Sequence, residues 1–141
     1  MYSKAIFTVL GAVIAGLVGY LLAWWQRRRD GRDRFLAVIG EREAELDGFR
    51  NIDERTTTFH RESFAPLRDA IFAVQPFVSA SCFQRLRNLW QRYKDEDFDW
   101  KSTLEKRTAY QLQHGNDAPG EPPFAKDKLQ DYMRKFRKEV D

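Results

Sequence analysis

The sequence predicts an all-α protein with one N-terminal transmembrane helix followed by a small helical domain. Three observations support this prediction. An uncharged apolar stretch runs over residues 5–25, apolar side chains recur every three or four residues in much of the remaining chain, and no segment has a convincing strand pattern. The predicted organisation is a transmembrane anchor at 1–26, a basic juxtamembrane segment at 27–34, a helical cytoplasmic domain at 35–113, a Gly/Pro-rich loop at 114–125 and a C-terminal amphipathic helix at 126–141.

The apolar stretch has the length of a membrane span. It contains no charge and no proline, and at about 1.5 Å per residue it covers about 30 Å, the thickness of the hydrocarbon layer. Tyr20, Trp24 and Trp25 cluster at its downstream end, where amphipathic rings settle among lipid headgroups. The main alternative is a cleaved signal peptide, which has a shorter apolar stretch, basic residues before it and small residues after it. Only Lys4 precedes this stretch and a basic segment follows it, so we favour a permanent anchor.

The charges around the anchor predict its orientation. Because the flank richer in Lys and Arg stays in the cytoplasm, we expect the N-terminus outside, in the periplasm if the source is bacterial, and the domain in the cytoplasm. Residues from Phe35 onward hold no basic excess, so the overall charge of +3 comes from this flank. A domain without basic excess argues against nucleic acid as a partner and leaves membrane lipid and protein. The arginines that set the orientation are Arg27, Arg28, Arg29, Arg32 and Arg34.

One face of the anchor carries small residues at every fourth position, namely Gly11, Ala15 and Gly19. Small residues at this spacing let two helix backbones approach closely, which is how transmembrane helices associate. The alternative is that Gly and Ala are simply common in membrane helices. The pattern predicts a helix-association face and a homo-oligomer as one form of partner.

The chain after the anchor is predicted to fold as successive helices. The first extends from the membrane exit to about Asp53, with Gly31 as the expected bend, and Thr56–Thr58 is expected to be a connection. Residues 63–75 and 79–96 then form a helical hairpin, in which Pro76 ends the first helix. Ser63 is a candidate cap of the first hairpin helix, Ser79 and Ser81 are candidate caps of the second, a short helix is possible at 102–112, and the last helix covers about 126–139.

Few residues are candidates for chemistry. His60 and His114 have no local partner at metal-ligand spacing, and the acidic segment Asp95–Asp99 lacks the glycine and distal glutamate of a calcium loop. Cys82 is the only cysteine, which excludes an intramolecular disulfide and a cysteine-rich zinc site. We expect its thiol to be buried and not to act as a nucleophile. We therefore predict no catalytic residue, no metal site and no cofactor.

Part of the hairpin region resembles a known pattern. The run Phe59-His-Arg-Glu-Ser-Phe, then Leu67, Ala70-Ile71 and Val74-Gln-Pro-Phe77, followed by Leu89-Trp90-Gln-Arg-Tyr93, resembles an uncharacterised family of small bacterial proteins. Those proteins have an N-terminal hydrophobic segment and a short helical cytoplasmic domain. The resemblance implies a bacterial origin and an inner-membrane location, and its motifs include no catalytic signature.

Three hypotheses of function follow. The first is a non-enzymatic membrane protein whose domain binds itself or another protein at the cytoplasmic surface. The second is a membrane-bound enzyme whose site combines His60, Glu62 and the segment Asp95–Asp99 in one pocket. The third is a sensor of anionic lipid that uses the basic end of the last helix. We favour the first hypothesis.

Overall fold

The computed structural model describes residues 2–116 and 119–141, so Met1 of the predicted anchor and Asp117 and Ala118 of the predicted loop lie outside the described residues. The all-α prediction is confirmed, since the described chain forms helices and no strand. The elements are α1 (Tyr2–Asp47), α2 (Arg55–Glu62), α3 (Phe64–Val74), a 3-10 turn (Gln75–Phe77), α4 (Ala80–Asp95), α5 (Trp100–His114) and α6 (Ala125–Val140).

Helix α1 is continuous over 46 residues, which gives it a length of about 69 Å. We call residues 2–26 its apolar half and residues 27–47 its core half. All residues of the apolar half are exposed, and its most apolar 18-residue window has a mean hydropathy of 2.3. Helix α1 is therefore long and apolar enough to cross a membrane, by length and composition.

Helix α1 continues without a break through Gly31, where the sequence predicted a bend. This glycine is buried, and the ring of Phe77 occupies the space where a side chain would be. The glycine therefore serves a close approach of the 3-10 turn to α1, and the hydrogen-bonded helix continues on both sides of it.

The core half of α1 is the centre of the domain. Helices α3 and α6 pack along it, and α4 closes the core by packing against both. Helix α6 runs antiparallel to α1, because Lys126 at its start bonds to the Phe49 carbonyl while Arg137 near its end pairs with Glu43. The largest fully buried side chains of this core are Tyr93, Phe35, Phe59, Phe98, Phe136, Ile39, Leu46, Leu67, Ile71, Leu86, Leu129 and Met133.

The expected connection at Thr56–Thr58 is helical, as part of α2. The Asp53 carboxylate accepts the backbone N–H of Arg50 in the preceding loop at 3.1 Å and that of Arg55, the first residue of this helix, at 3.0 Å. Thr56 is buried, and its hydroxyl donates to the Asp53 carbonyl at 2.9 Å. Helix α2 thus depends on the buried Asp53 carboxylate just before it and on tertiary burial, which outweigh the low helix propensity of threonine.

The helical hairpin has the predicted form. Helix α3 ends at Val74 and Pro76 lies in the 3-10 turn that follows, while the Ser79 hydroxyl caps α4 by accepting the N–H of Cys82 at 3.1 Å. Ser63 makes no side-chain cap, because its helical dihedral angles let α2 pass almost directly into α3.

Helices α5 and α6 differ in how much they are buried. The predicted apolar face of α6 is confirmed, since Leu129, Tyr132, Met133 and Phe136 are all buried. Thr103 is the buried residue of α5, so this helix lies largely outside the core.

Candidate functional site

The surface where the apolar half of α1 meets the domain is the candidate functional site. We call it the junction and define it as residues 24–36 of α1, the 3-10 turn and the end of α6. Arg28 Nε donates to the Phe77 carbonyl at 3.3 Å, and Gly31 contacts the ring of the same phenylalanine. The domain is therefore held against α1 within two turns of Trp25, the last residue of the apolar stretch.

Two arginines of the junction lie against tryptophan rings one turn earlier on α1. The guanidinium carbon of Arg28 lies 4.7 Å from the centroid of the Trp24 ring, and that of Arg29 lies 5.6 Å from the Trp25 ring. A guanidinium over an indole face is attracted by the ring quadrupole. These contacts hold both cations close to α1 and on the side towards its apolar half.

An open cavity of about 380 Å³ lies between α1 and the end of α6. No carboxylate of the described residues lies within ion-pair distance of Arg29 or Arg32, and both side chains are exposed. The residues that line the cavity are Trp24, Trp25, Arg28, Arg29, Arg32, Asp33, Leu36, Val140 and Asp141.

The five arginines predicted to set the orientation thus divide between two faces of α1. Three of them line the cavity, whereas Arg34 borders a smaller space beside α3 and Arg27 is exposed elsewhere on the helix. At about 100° per residue, Arg27 and Arg34 point about 180° away from Arg29 and Arg32. The sequence indicated that this segment is basic but not that its arginines lie on two opposite faces of α1.

The small residues of the apolar half lie on an open face. Gly11, Ala15 and Gly19 are exposed, and a Cβ atom added at either glycine would meet nothing within 4 Å. The face is free for a second helix to approach, and the association of two helices there stays a prediction.

His60 is held in an aromatic environment. Its Nε2 donates to the Tyr93 carbonyl at 2.6 Å, and the rings of Phe64, Tyr93 and Phe98 lie 4.3 to 4.8 Å from it, centroid to centroid. Burial lowers the pKa of the imidazole below its usual value of 6.5. These contacts describe a neutral histidine that joins α2 to α4.

The acidic segment after α4 has its carboxylates engaged in several separate contacts. Asp95 accepts from Gln91, Glu96 accepts from the Tyr132 hydroxyl, and Asp97 accepts the N–H of Asp99 at 2.8 Å. Within residues 2–116 and 119–141, no group of three His, Cys, Asp or Glu side chains is placed to hold a metal ion. His60 bonds to the Tyr93 carbonyl and to none of these carboxylates, although the charges of Asp97 and Glu96 act on its pKa in opposition to burial. An enzyme site that combines His60 with these carboxylates stays a hypothesis.

Cys82 is buried in the first turn of α4. Its thiol donates to the Glu139 carbonyl at 3.2 Å, and burial raises its pKa above the usual value. A protonated thiol with a backbone partner is a poor nucleophile.

The basic end of α6 is partly neutralised inside the domain. Arg137 pairs with Glu43 at 3.0 Å and Lys135 with Asp131 at 2.9 Å, while the apolar face of the helix is used in the core. An interfacial helix inserts its apolar face into lipid, and α6 has no such face free.

A groove of about 350 Å³ between α3 and α4 was not foreseen. Phe72 lies on its wall with 51% of its surface exposed, whereas its neighbour Ile71 is buried. Adjacent residues of a helix differ by about 100° in direction, and that offset from Ile71 was the available signal. Arg68, Arg87 and Trp90 also line this groove.

Comparisons of the chain with models of protein families, with curated proteins and with solved structures gave no match.

Proposed function

We propose that this protein is a single-pass membrane protein that holds a small helical domain at the cytoplasmic face of a bacterial inner membrane. There the domain binds itself or another protein without catalysis. The observation that carries the proposal is the exposed apolar half of α1, continuous with a core half around which the domain is built.

The physical reason is the cost of the apolar half in water. Its large apolar side chains are all exposed, and an exposed Leu, Val, Ile or Phe forgoes about 1.5–3 kcal/mol of burial free energy. A bilayer of matching thickness removes that surface from water. The continuity of α1 through Gln26 also favours an anchor over a cleaved leader, because the same helix supplies core residues such as Phe35.

Reporter fusions test the location and orientation. Alkaline phosphatase, active only outside the cytoplasm, and green fluorescent protein are each fused after Asp141 in bacterial cells. We expect fluorescence without phosphatase activity, and retention of the full chain in membranes washed with alkaline carbonate. Release by carbonate would contradict the anchor, and phosphatase activity with retention would contradict the orientation alone.

A bilayer reporter of helix association tests the homo-oligomer. Replacing Gly11, Ala15 and Gly19 together by Ile should abolish the signal, because three branched side chains separate the backbones. The matched control replaces Val13, Leu17 and Leu21, which lie about 180° away, by Ile and should keep the signal. An undiminished signal from the first variant removes the proposed association face.

The exposed aromatic best placed to contact a different protein is Phe72 in the α3–α4 groove. Crosslinking of membrane-embedded chains compares the native protein with Phe72→Ser. We expect the variant to lose a crosslinked partner that the native protein retains, and identical crosslinks would remove this surface from the proposal.

A further inference from the structure

The depth of the junction in a bilayer follows from the length of α1, if the chain is anchored as proposed above. With residues 5–25 in the hydrocarbon layer, Arg28, Arg29 and Arg32 lie about 4.5, 6 and 10.5 Å beyond Trp25 along the helix axis. The polar headgroup layer on each side of a bilayer is about 5–7 Å thick. Side chains of an α-helix lean towards its N-terminus, so all three guanidiniums reach back into the headgroup layer.

The cavity at this depth is polarised along α1. Among its lining residues, Arg28, Arg29 and Arg32 precede Asp33 along α1, and Asp141 follows Arg137 of α6, which pairs with Glu43 further along α1. The C-terminal end of α6 lines the cavity with Asp141, and the carbonyl groups of a helix C-terminus add partial negative charge. Cationic side chains therefore face the bilayer, and anionic groups face the water layer beyond it.

We propose that this cavity binds one phospholipid whose headgroup joins a phosphodiester to hydrogen-bond donors further out, an ammonium or hydroxyl group. Arg29 and Arg32, which have no carboxylate partner among the described residues, hold the phosphodiester, with Arg28 beside them. Asp33 and Asp141 accept from the donors, and their charge disfavours a headgroup with additional phosphates. The order of charges in the cavity matches the order of charges in such a headgroup.

A comparison of two lipids without net charge distinguishes specific binding of the headgroup from general attraction to a charged membrane surface. Phosphatidylethanolamine and phosphatidylcholine have the same phosphodiester and the same net charge, and the choline group lacks the N–H donors of the ethanolamine. The full chain is placed in nanodiscs that contain equal amounts of both lipids, and the lipids that remain bound after release are counted by native mass spectrometry. We expect the native chain to retain phosphatidylethanolamine severalfold over phosphatidylcholine.

A pair of double variants tests the assigned arginines. R29Q/R32Q removes two cavity cations, and R27Q/R34Q removes two cations from the opposite face and leaves the total charge the same as in the first variant. R29Q/R32Q removes two charge-assisted hydrogen-bonding groups from the phosphodiester, so this variant should bind phosphatidylethanolamine at least about tenfold more weakly. R27Q/R34Q should bind as the native chain does, and circular dichroism shows that both variants remain helical.

Three outcomes overturn the lipid site. They are equal retention of the two lipids, equal losses in the two double variants, and displacement of the bound lipid by millimolar inorganic phosphate, which would identify a site for free phosphate. In each case carbonate-resistant membrane attachment would leave the proposed anchor standing. A chain that carbonate releases contradicts the anchor, and the lipid site with it.

Discussion

The close contact between Gly31 and Phe77 predicts how Gly31→Ala changes the free energy of unfolding. The sign of that change depends on whether the Phe77 ring is present. A Cβ atom at Gly31 would lie too close to three atoms of the Phe77 ring, the most distant of which is only 2.6 Å away. Ordinary van der Waals contacts lie at 3.4–4 Å, so Gly31→Ala forces the ring or the 3-10 turn to move. Overpacking of this kind costs about 1–3 kcal/mol. Alanine recovers about 1 kcal/mol through its higher helix propensity.

We therefore expect Gly31→Ala to lower the free energy of unfolding of the domain by up to about 2 kcal/mol. Gly40 provides a matched control in the same helix, because the nearest atom to an added Cβ there is Arg137 Nη2 at 4.0 Å. Gly40→Ala should raise the free energy of unfolding by about 1 kcal/mol. In a Phe77→Ala background, Gly31→Ala should change sign and stabilise as Gly40→Ala does.

The assay is urea unfolding of the full chain in detergent micelles, followed by near-ultraviolet circular dichroism of the domain aromatics. The four chains with and without Gly31→Ala and Phe77→Ala form a double-mutant cycle, which isolates the interaction of the two sites. Equal stabilisation by Gly31→Ala and Gly40→Ala in the otherwise native chain would refute the close contact and the reason given for this glycine.

Three further predictions concern buried titratable groups. The Arg55 guanidinium holds the pKa of Asp53 well below its usual 3.8. The ionised Asp53 carboxylate therefore stabilises the fold above pH 3.8, and this stabilisation is lost as the pH falls below 3.8. Asp53→Asn should thus cost about 1–3 kcal/mol at pH 7 in urea unfolding, and a difference that stayed constant down to pH 2 would contradict the assignment. Because burial lowers the pKa of His60, protonation opposes folding, and stability should fall as the pH drops below 6.5; His60→Gln should flatten this dependence between pH 7 and 5. Cys82 should react with a maleimide far more slowly in the folded protein than in urea, and equal rates would show an accessible thiol.

The prediction of the fold succeeded for features that depend on neighbouring residues within one helix. The apolar face of α6, the stop at Pro76 and the cap at Ser79 are each encoded within a few neighbouring residues. It failed at Thr56, where three threonines in succession disfavour a helix and the hydroxyl donates to the backbone carbonyls of Asp53 and Phe98. The latter is 42 residues away in the chain, beyond the reach of a local pattern.

The candidate site was predicted in its composition and not in its geometry. The arginine cluster was evident, and so was its charge excess over the rest of the chain. Its separation into a cavity face with Arg29 and Arg32 and an opposite face with Arg27 and Arg34 depends on where α6 ends against α1. The groove beside Phe72 likewise exists only because α3 and α4 pack side by side.

By itself, the sequence determined the helical class and the one segment apolar and long enough to cross a membrane, because both depend on periodicity and length within a single helix. Only the tertiary structure decided that the apolar half and the core half form one unbroken helix. A glycine at position 31 lowers the local helix propensity, and the ring of Phe77, 46 residues further along the chain, fills the space that the glycine leaves open. Packing between distant residues therefore fixed how the domain is joined to its apolar segment.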